Sequence, residues 1–300
     1  MLSRRGATGT GEEMLKKLLN RSEEVVNSRL RITAEEHGAH VFPKVRLADL
    51  LPIEGSGIAD DLYQFALKAH FDFVVTDDEL LPLFAVEFDG PEHDALEQQR
   101  RDSFKNGLAE RFALPLLRVR SAHVFRTYDG WDLLSWITDV WFLQSEIDRL
   151  YEAGQLPPDF DFDPESIVFS PGKRRRFPYW LGLDAQLRIQ RLHEKGMCYD
   201  LVPSLFIGVA EDQAYHGMAA IRTKRDLAVY VKSAMRPQQF PVDLTALLRG
   251  VLITDLYQAL LEVLDGRRQP IRAPDIDKDI KQFCSQLSMH CWSGFSSHRQ

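Results

Sequence analysis

Two short runs, Phe71-Asp72-Phe73-Val74-Val75 and Leu83-Phe84-Ala85-Val86-Glu87-Phe88, set acidic residues inside otherwise apolar segments rich in Val and Phe. That placement constrains the fold more than any other feature of the chain. Residues of this kind favour strands, and the polar break Asp77-Asp78-Glu79 with Pro82 between the runs predicts a hairpin. Side chains alternate faces along a strand. Phe71, Phe73, Val75, Phe84, Val86 and Phe88 therefore fall on one face, the predicted core, and Asp72, Glu87 and Asp89 on the other. A loop centred on Glu79-Leu80 sets Asp72 opposite Glu87. Like charges in that relation weaken a strand pair, so something must offset them. Mg²⁺ or Mn²⁺ would, because hard divalent ions take oxygens from one or two carboxylates and keep water in their other positions.

The elements around the hairpin predict an α/β fold. Met14, Leu15, Leu18, Leu19, Val25 and Val26 predict a surface helix from Gly11 to Asn27. Val41, Val45 and Leu47, alternating with Phe42, Lys44 and Arg46, predict a strand ending near Asp49, with Pro43 favouring an edge position. A short helical stretch over Ile58 to Lys68 precedes the hairpin. Beyond it a helix is expected over Asp94 to Phe112, with Phe104, Leu108 and Phe112 four apart, then a strand over Leu114 to Val119. The order predicts a mixed sheet flanked by helices.

At 300 residues the chain is long enough for two domains. We divide it into a first domain over 1–130, a helix and acidic linker over 131–164, and a mixed or mostly helical domain over 165–300. In this last part, helices are expected at Asp184 to Lys195 and Thr254 to Leu264, a strand at Ser204 to Val209, and weak order from Ser285 to Gln300. Trp131, Trp136 and Trp141 fit a helix that buries aromatics. Cys198, Cys284 and Cys291 form no metal-ligand or disulfide pattern. No apolar run of membrane-spanning length and no secretory signal is read, so a cytoplasmic protein without membrane contact is expected.

Near the carboxylates stand His93, six residues past Glu87, and Asp102 and Lys105, three apart on the following helix. A metal between Asp72 and Glu87 suits phosphodiester hydrolysis, since it acidifies a bound water and neutralises charge on the attacked phosphate. His93 is then a candidate general base, and Lys105 a candidate for stabilising the phosphate or deprotonating the water. Asp102 supports Lys105.

Taken in order, Asp72-Phe73, Val86-Glu87-Phe88-Asp89-Gly90-Pro91-Glu92-His93, Arg101-Asp102-Ser103-Phe104-Lys105 and Leu114-Pro115-Leu116-Leu117-Arg118 resemble the PD-(D/E)XK nuclease superfamily. The closer likeness is to its very-short-patch-repair-like branch, and within it to a bacterial domain family carrying an E-x-D-[DG]-x-x-H block. The resemblance spans roughly residues 10–125. It implies a restriction-endonuclease-like nuclease core in which Asp72 and Glu87 bind the metal, with a catalytic His similar in position to His93. The superfamily pattern has Lys two residues after the Glu, where this chain has Asp89; a lysine moved to the next helix is a known variation, which points to Lys105. Asp89 is then a third ligand or a support for His93 or Lys105.

With a net charge of −7, nucleic acid must be met by a local basic patch or a bound cation. Lys173, Arg174, Arg175 and Arg176, followed by Phe177, Tyr179 and Trp180, combine phosphate-pairing charge with stacking aromatics. The expected partner is DNA rather than RNA. The alternative is a nuclease-like fold without catalysis, serving as a nucleic-acid-binding or protein-interaction module.

Overall fold

In a computed structural model, residues 16–89, 96–125, 127–128, 131–157, 159 and 181–293 are described. The chain divides into two compact units, Met1–Phe125 and Arg126–Gln300, and both are mixed α/β.

The first helix, α1 (Arg21–Glu36), starts well after Gly11 and runs nine residues past Asn27. Its start is set by a reciprocal cap, in which Asn20 Oδ1 accepts the Glu23 N–H at 2.9 Å and Glu23 Oε2 accepts the Asn20 N–H at 2.8 Å. Leu18, upstream of the cap, is 78% exposed. Val26, Leu30 and Ala34, four apart, are the buried stripe.

Strand β1 (His40–Arg46) passes into the one-turn helix α2 (Leu47–Leu50), so the strand ends three residues before Asp49. After α3 (Asp60–Ala66), the strands β2 (His70–Thr76) and β3 (Pro82–Asp89) form the expected hairpin. Helix α4 (Leu96–Arg111) then carries the chain to β4 (Leu116–Arg120), parallel to β3, and α5 (Ser121–Phe125) follows. The sheet order is β1-β2-β3-β4, antiparallel except for the last pair. Pro43 does lie on an edge strand, where a missing N–H costs no ladder bond.

The hairpin does not have a single apolar face. Phe73, Val75, Phe84 and Val86 are buried, but so are Val74 and Ala85, which pack with Leu108 and Ala109 of α4 and Leu116 of β4. Phe71 joins this second group, a departure from strict alternation. The observed β2–β3 pairs end at Phe73–Val86, and Phe71 lies beyond them, where the pair no longer enforces the pleat.

The second unit is mixed, one of the two forms expected for it. Its five-stranded antiparallel sheet has the order β10-β9-β8-β7-β11, built from β7 (Ser204–Val209), β8 (Tyr215–Arg222), β9 (Leu227–Met235), β10 (Ile271–Arg272) and β11 (Met289–Ser293). Thus Met289–Ser293, expected to be weakly ordered, pairs along β7. Helices α7 (Leu183–Glu194) and α8 (Leu244–Leu264) cover one face through Ile189, Leu248, Leu252 and Leu256. On the other face α9 (Ala273–Ser285) packs Ile276 and Phe283 against Met218 and Ala220. Gly217 belongs to this arrangement, since a Cβ there would lie 2.4 Å from Leu252 Cδ1. After the two-residue strands β5 (Thr127–Tyr128) and β6 (Trp131–Asp132), helix α6 (Leu133–Glu152), capped by Asp132, buries Trp136 and sets Trp141 6.2 Å from Phe240. By length and composition α8 could cross a bilayer, contrary to the reading that no such run exists. Half of its apolar window is buried within the protein, largely against β8 and β9, as in the core helix of a folded domain.

Candidate metal and phosphate site

The β2–β3 ladder opens beyond Phe73–Val86, and Asp72 and Glu87 occupy the next position on each strand. There the side chains replace the ladder. Asp72 Oδ2 accepts the Phe88 N–H at 3.0 Å, and Glu87 Oε1 accepts the Asp72 N–H at 3.4 Å. Each carboxylate thus satisfies a backbone donor that strand separation would leave unpaired. The two acidic side chains are neighbours because the strands part there.

Two lysines hold them. Lys105, from the middle of α4, places Nζ 2.7 Å from both oxygens of Glu87. Lys44, on β1, places Nζ 2.7 Å from Asp72 Oδ1 and 2.7 Å from Glu23 Oε1. Pro43 pairs with Phe73 and Val45 with Phe71, so Lys44 lies beside Asp72 across the sheet. Glu87 pairs with Arg118 of β4 on its other side. A charged row, Lys44, Asp72, Glu87 and Arg118, therefore crosses all four strands.

Asp89 continues β3 beyond Glu87 and accepts from Arg118 Nη1 at 2.9 Å. The same Arg118 nitrogen reaches Asp102 at 3.2 Å, while its Nε and Nη2 reach Asn106 Oδ1 at 3.2 and 2.9 Å. Gln98 donates to the same Asp102 oxygen at 3.2 Å. Asp102 and Lys105 thus face different partners, and the described contacts do not pair them with each other. Arg118 instead ties α4 to the ends of β3 and β4, fixing the helix that carries Lys105.

Glu87 is only 5% exposed. Burial pushes its carboxyl up to about 7, Lys105 pulls it back down, and Asp72 adds to the rise. For Lys44, burial favours the neutral amine, but hydrogen bonds to Asp72 and Glu23 more than offset this and leave it above the ordinary lysine value. His70, at the start of β2, is held below its ordinary value by desolvation and then by Lys44 and Lys105. A neutral imidazole therefore sits near two ammonium groups at physiological pH.

Of the residues singled out from sequence, the fold brings together Asp72, Glu87, Asp89, Asp102 and Lys105. His93 and the run Lys173, Arg174, Arg175 and Arg176 lie outside the described residues. Glu23, Lys44, His70, Asn106 and Arg118 join the site without having been singled out as candidates. Among the described residues no group of three or more His, Cys, Asp or Glu gathers as a metal cage. The Asp72–Glu87 pair offers the smaller donor set that Mg²⁺ uses, one or two carboxylates with water or substrate oxygens completing the shell. The hard oxygen donors, and the cations already drawn to them, fit such an ion.

A family model described as a protein of unknown function (DUF2726) matches residues 15–129, which take in every described element from α1 to β5 (Thr127–Tyr128). No curated protein and no solved structure matches the chain.

Proposed function

We propose that the first unit is a metal-dependent endonuclease of the PD-(D/E)XK kind, hydrolysing phosphodiester bonds in DNA rather than RNA. The observation that carries this reading is the convergence of Asp72, Glu87 and Lys105 where two strands part, with Lys105 Nζ 2.7 Å from both Glu87 oxygens. Lysine two residues after the Glu is replaced by Asp89, yet an ammonium reaches the same carboxylate from α4.

Asp72 and Glu87 would hold Mg²⁺ or Mn²⁺, which supplies an acidified water and neutralises charge on the phosphate. Lys105 would stabilise negative charge developing on the attacked phosphate. Asp89, Asp102 and Asn106 act through Arg118 and keep α4, hence Lys105, in register with Glu87. His93 is assigned the proton transfer on its resemblance to the catalytic His of the repair-like branch.

A specific observation favours a second reading. Asp72 and Glu87 already have ammonium partners at 2.7 Å, so their repulsion is offset without a metal, as a non-catalytic nucleic-acid-binding module would require. Calorimetric titration with Mn²⁺ separates the two readings, because the module has no need of a metal site. The enzyme reading predicts that purified protein nicks or linearises supercoiled plasmid with Mg²⁺ or Mn²⁺, that EDTA stops it, and that Glu87→Gln is inert. Plasmid and single-stranded DNA left intact with either ion would end it.

A further inference from the structure

Lys44 is the residue of the site that sequence pattern explains least. Its backbone φ is +55°, in the left-handed region where a residue with a Cβ is strained. Such strain persists where the surroundings over-determine it. Here the constraint is a pair of carboxylates from different elements: Asp72 Oδ1 on β2 and Glu23 Oε1 on α1, each 2.7 Å from the ammonium. Glu23 is itself pinned, since its other oxygen accepts the Asn20 N–H at the helix start. Lys44 therefore has one fixed partner in Glu23, and a second, Asp72, that the proposed metal would also claim.

We infer that Lys44 is a resident cation of this site: it competes with a divalent ion for Asp72, and when the ion binds it turns to a phosphate of the bound strand while Glu23 keeps it in place. This rests on the nuclease reading. The charge balance favours it. Among the described residues, five carboxyl groups, those of Glu23, Asp72, Glu87, Asp89 and Asp102, meet three cationic groups, Lys44, Lys105 and Arg118. A divalent ion on Asp72 neutralises the excess, and its positive charge repels the ammonium beside it. Lys44 keeps about a quarter of its side chain exposed, which leaves it a path to a ligand.

The test compares wild type with Lys44→Met, which keeps the stem and loses the charge, and with Lys44→Arg, which keeps the charge. In Mn²⁺ calorimetry without DNA, Lys44→Met should bind the ion about tenfold more tightly, within the usual range of coupling between bound groups, while Lys44→Arg stays near wild type. In a second measurement a short DNA duplex is titrated by anisotropy in Ca²⁺ at several salt concentrations. With one phosphate fewer neutralised, the slope of log affinity against log salt should fall by about one for Lys44→Met. Mn²⁺ affinity equal in wild type and Lys44→Met, or an unchanged salt slope, overturns the inference and leaves the nuclease reading standing. Absence of Mn²⁺ binding to both proteins overturns both together. Thermal melting of each variant identifies any loss of folding, and Lys44→Arg then decides whether charge alone restores metal affinity and slope.

Discussion

Lys105 and Glu87 are eighteen residues apart in sequence, yet Lys105 Nζ lies 2.7 Å from both oxygens of the Glu87 carboxylate. Neither group is free in water: their side chains are 14% and 7% exposed. A buried carboxylate so placed either keeps its cation or takes up a proton. The pair therefore links the electrostatics of the fold to the chemistry proposed for the site, since the same ammonium that favours the ionised form of Glu87 would also face a phosphate bound there.

Removing that ammonium should affect rate more than binding. Lys105→Met is expected to lower DNA cleavage by about two to four powers of ten, the usual range for a group acting on the reacting atoms. It should also raise the pH at which Glu87 ionises, because the largest opposing influence on its burial is gone. Mn²⁺ affinity measured with Glu87 ionised should not fall, because the ammonium occupies both Glu87 oxygens that the ion would use. Cleavage within a factor of about two of wild type would remove Lys105 from the mechanism.

Glu87 also makes a prediction for the metal-free protein. Its folded-state carboxyl titrates at about 7 against an ordinary 4.5, so between those values the folded chain binds a proton that the unfolded chain has released. The stability it contributes is full below about 4.5 and is lost as pH rises through 7. With EDTA present, the urea midpoint should fall across that window, and Glu87→Gln should flatten this part of the profile. Excess Mg²⁺ should raise the midpoint most at the upper end, where the carboxylate is free of its proton.

How much of this is legible in the sequence depends on what fixes each register. A loop centred on Glu79-Leu80 implies the Phe73–Val86 pairing that the fold adopts and places Asp72 beside Glu87. The pair next to the turn is nevertheless Thr76–Pro82, and a register shift between Val75 and Thr76 restores the expected match. No such rule reaches Lys44, because α2 and α3 lie between β1 and β2, so which β1 residue meets Asp72 is set by packing. Glu23 does carry a local signal, the Asn20-x-x-Glu23 cap, but the apolar residues upstream of it mimic a helix face. In the second unit β8 and β9 escape pattern reading because β8 is buried on both faces, which erases its two-residue period. The ten extra residues of α8 share that difficulty, since a helix apolar on most sides has little periodicity to read.

The basic run makes a separate prediction in solution. Replacing Lys173, Arg174, Arg175 and Arg176 by alanine should weaken DNA binding and reduce its salt slope by up to about 0.9 for each phosphate no longer neutralised. Cleavage of a saturating short duplex should be nearly unchanged, because the proposed chemistry lies with Asp72, Glu87 and Lys105. An identical slope would make the run ordinary surface.

Asp72 has two separable roles, and two substitutions divide them. Its Oδ2 accepts the Phe88 N–H where the strands part, a structural bond at 3.0 Å, while Oδ1 faces Lys44 at 2.7 Å. Asp72→Asn keeps an oxygen acceptor for Phe88 and loses the charge. Asp72→Ala loses both and strands a partly buried N–H. If the charge alone serves the metal, both variants should abolish cleavage and weaken Mn²⁺ binding at least about tenfold, since one of two anionic ligands is gone. Their stabilities should differ: Asp72→Ala is expected to lose about 1–3 kcal/mol more than Asp72→Asn in urea unfolding, the cost of an unsatisfied backbone donor. Relief of carboxylate repulsion does not compensate, because Lys44 and Lys105 already offset it. Equal stabilities would mean that water takes over the Phe88 N–H. Full cleavage by Asp72→Asn would remove Asp72 from the metal site and leave it a purely structural link between β2 and β3.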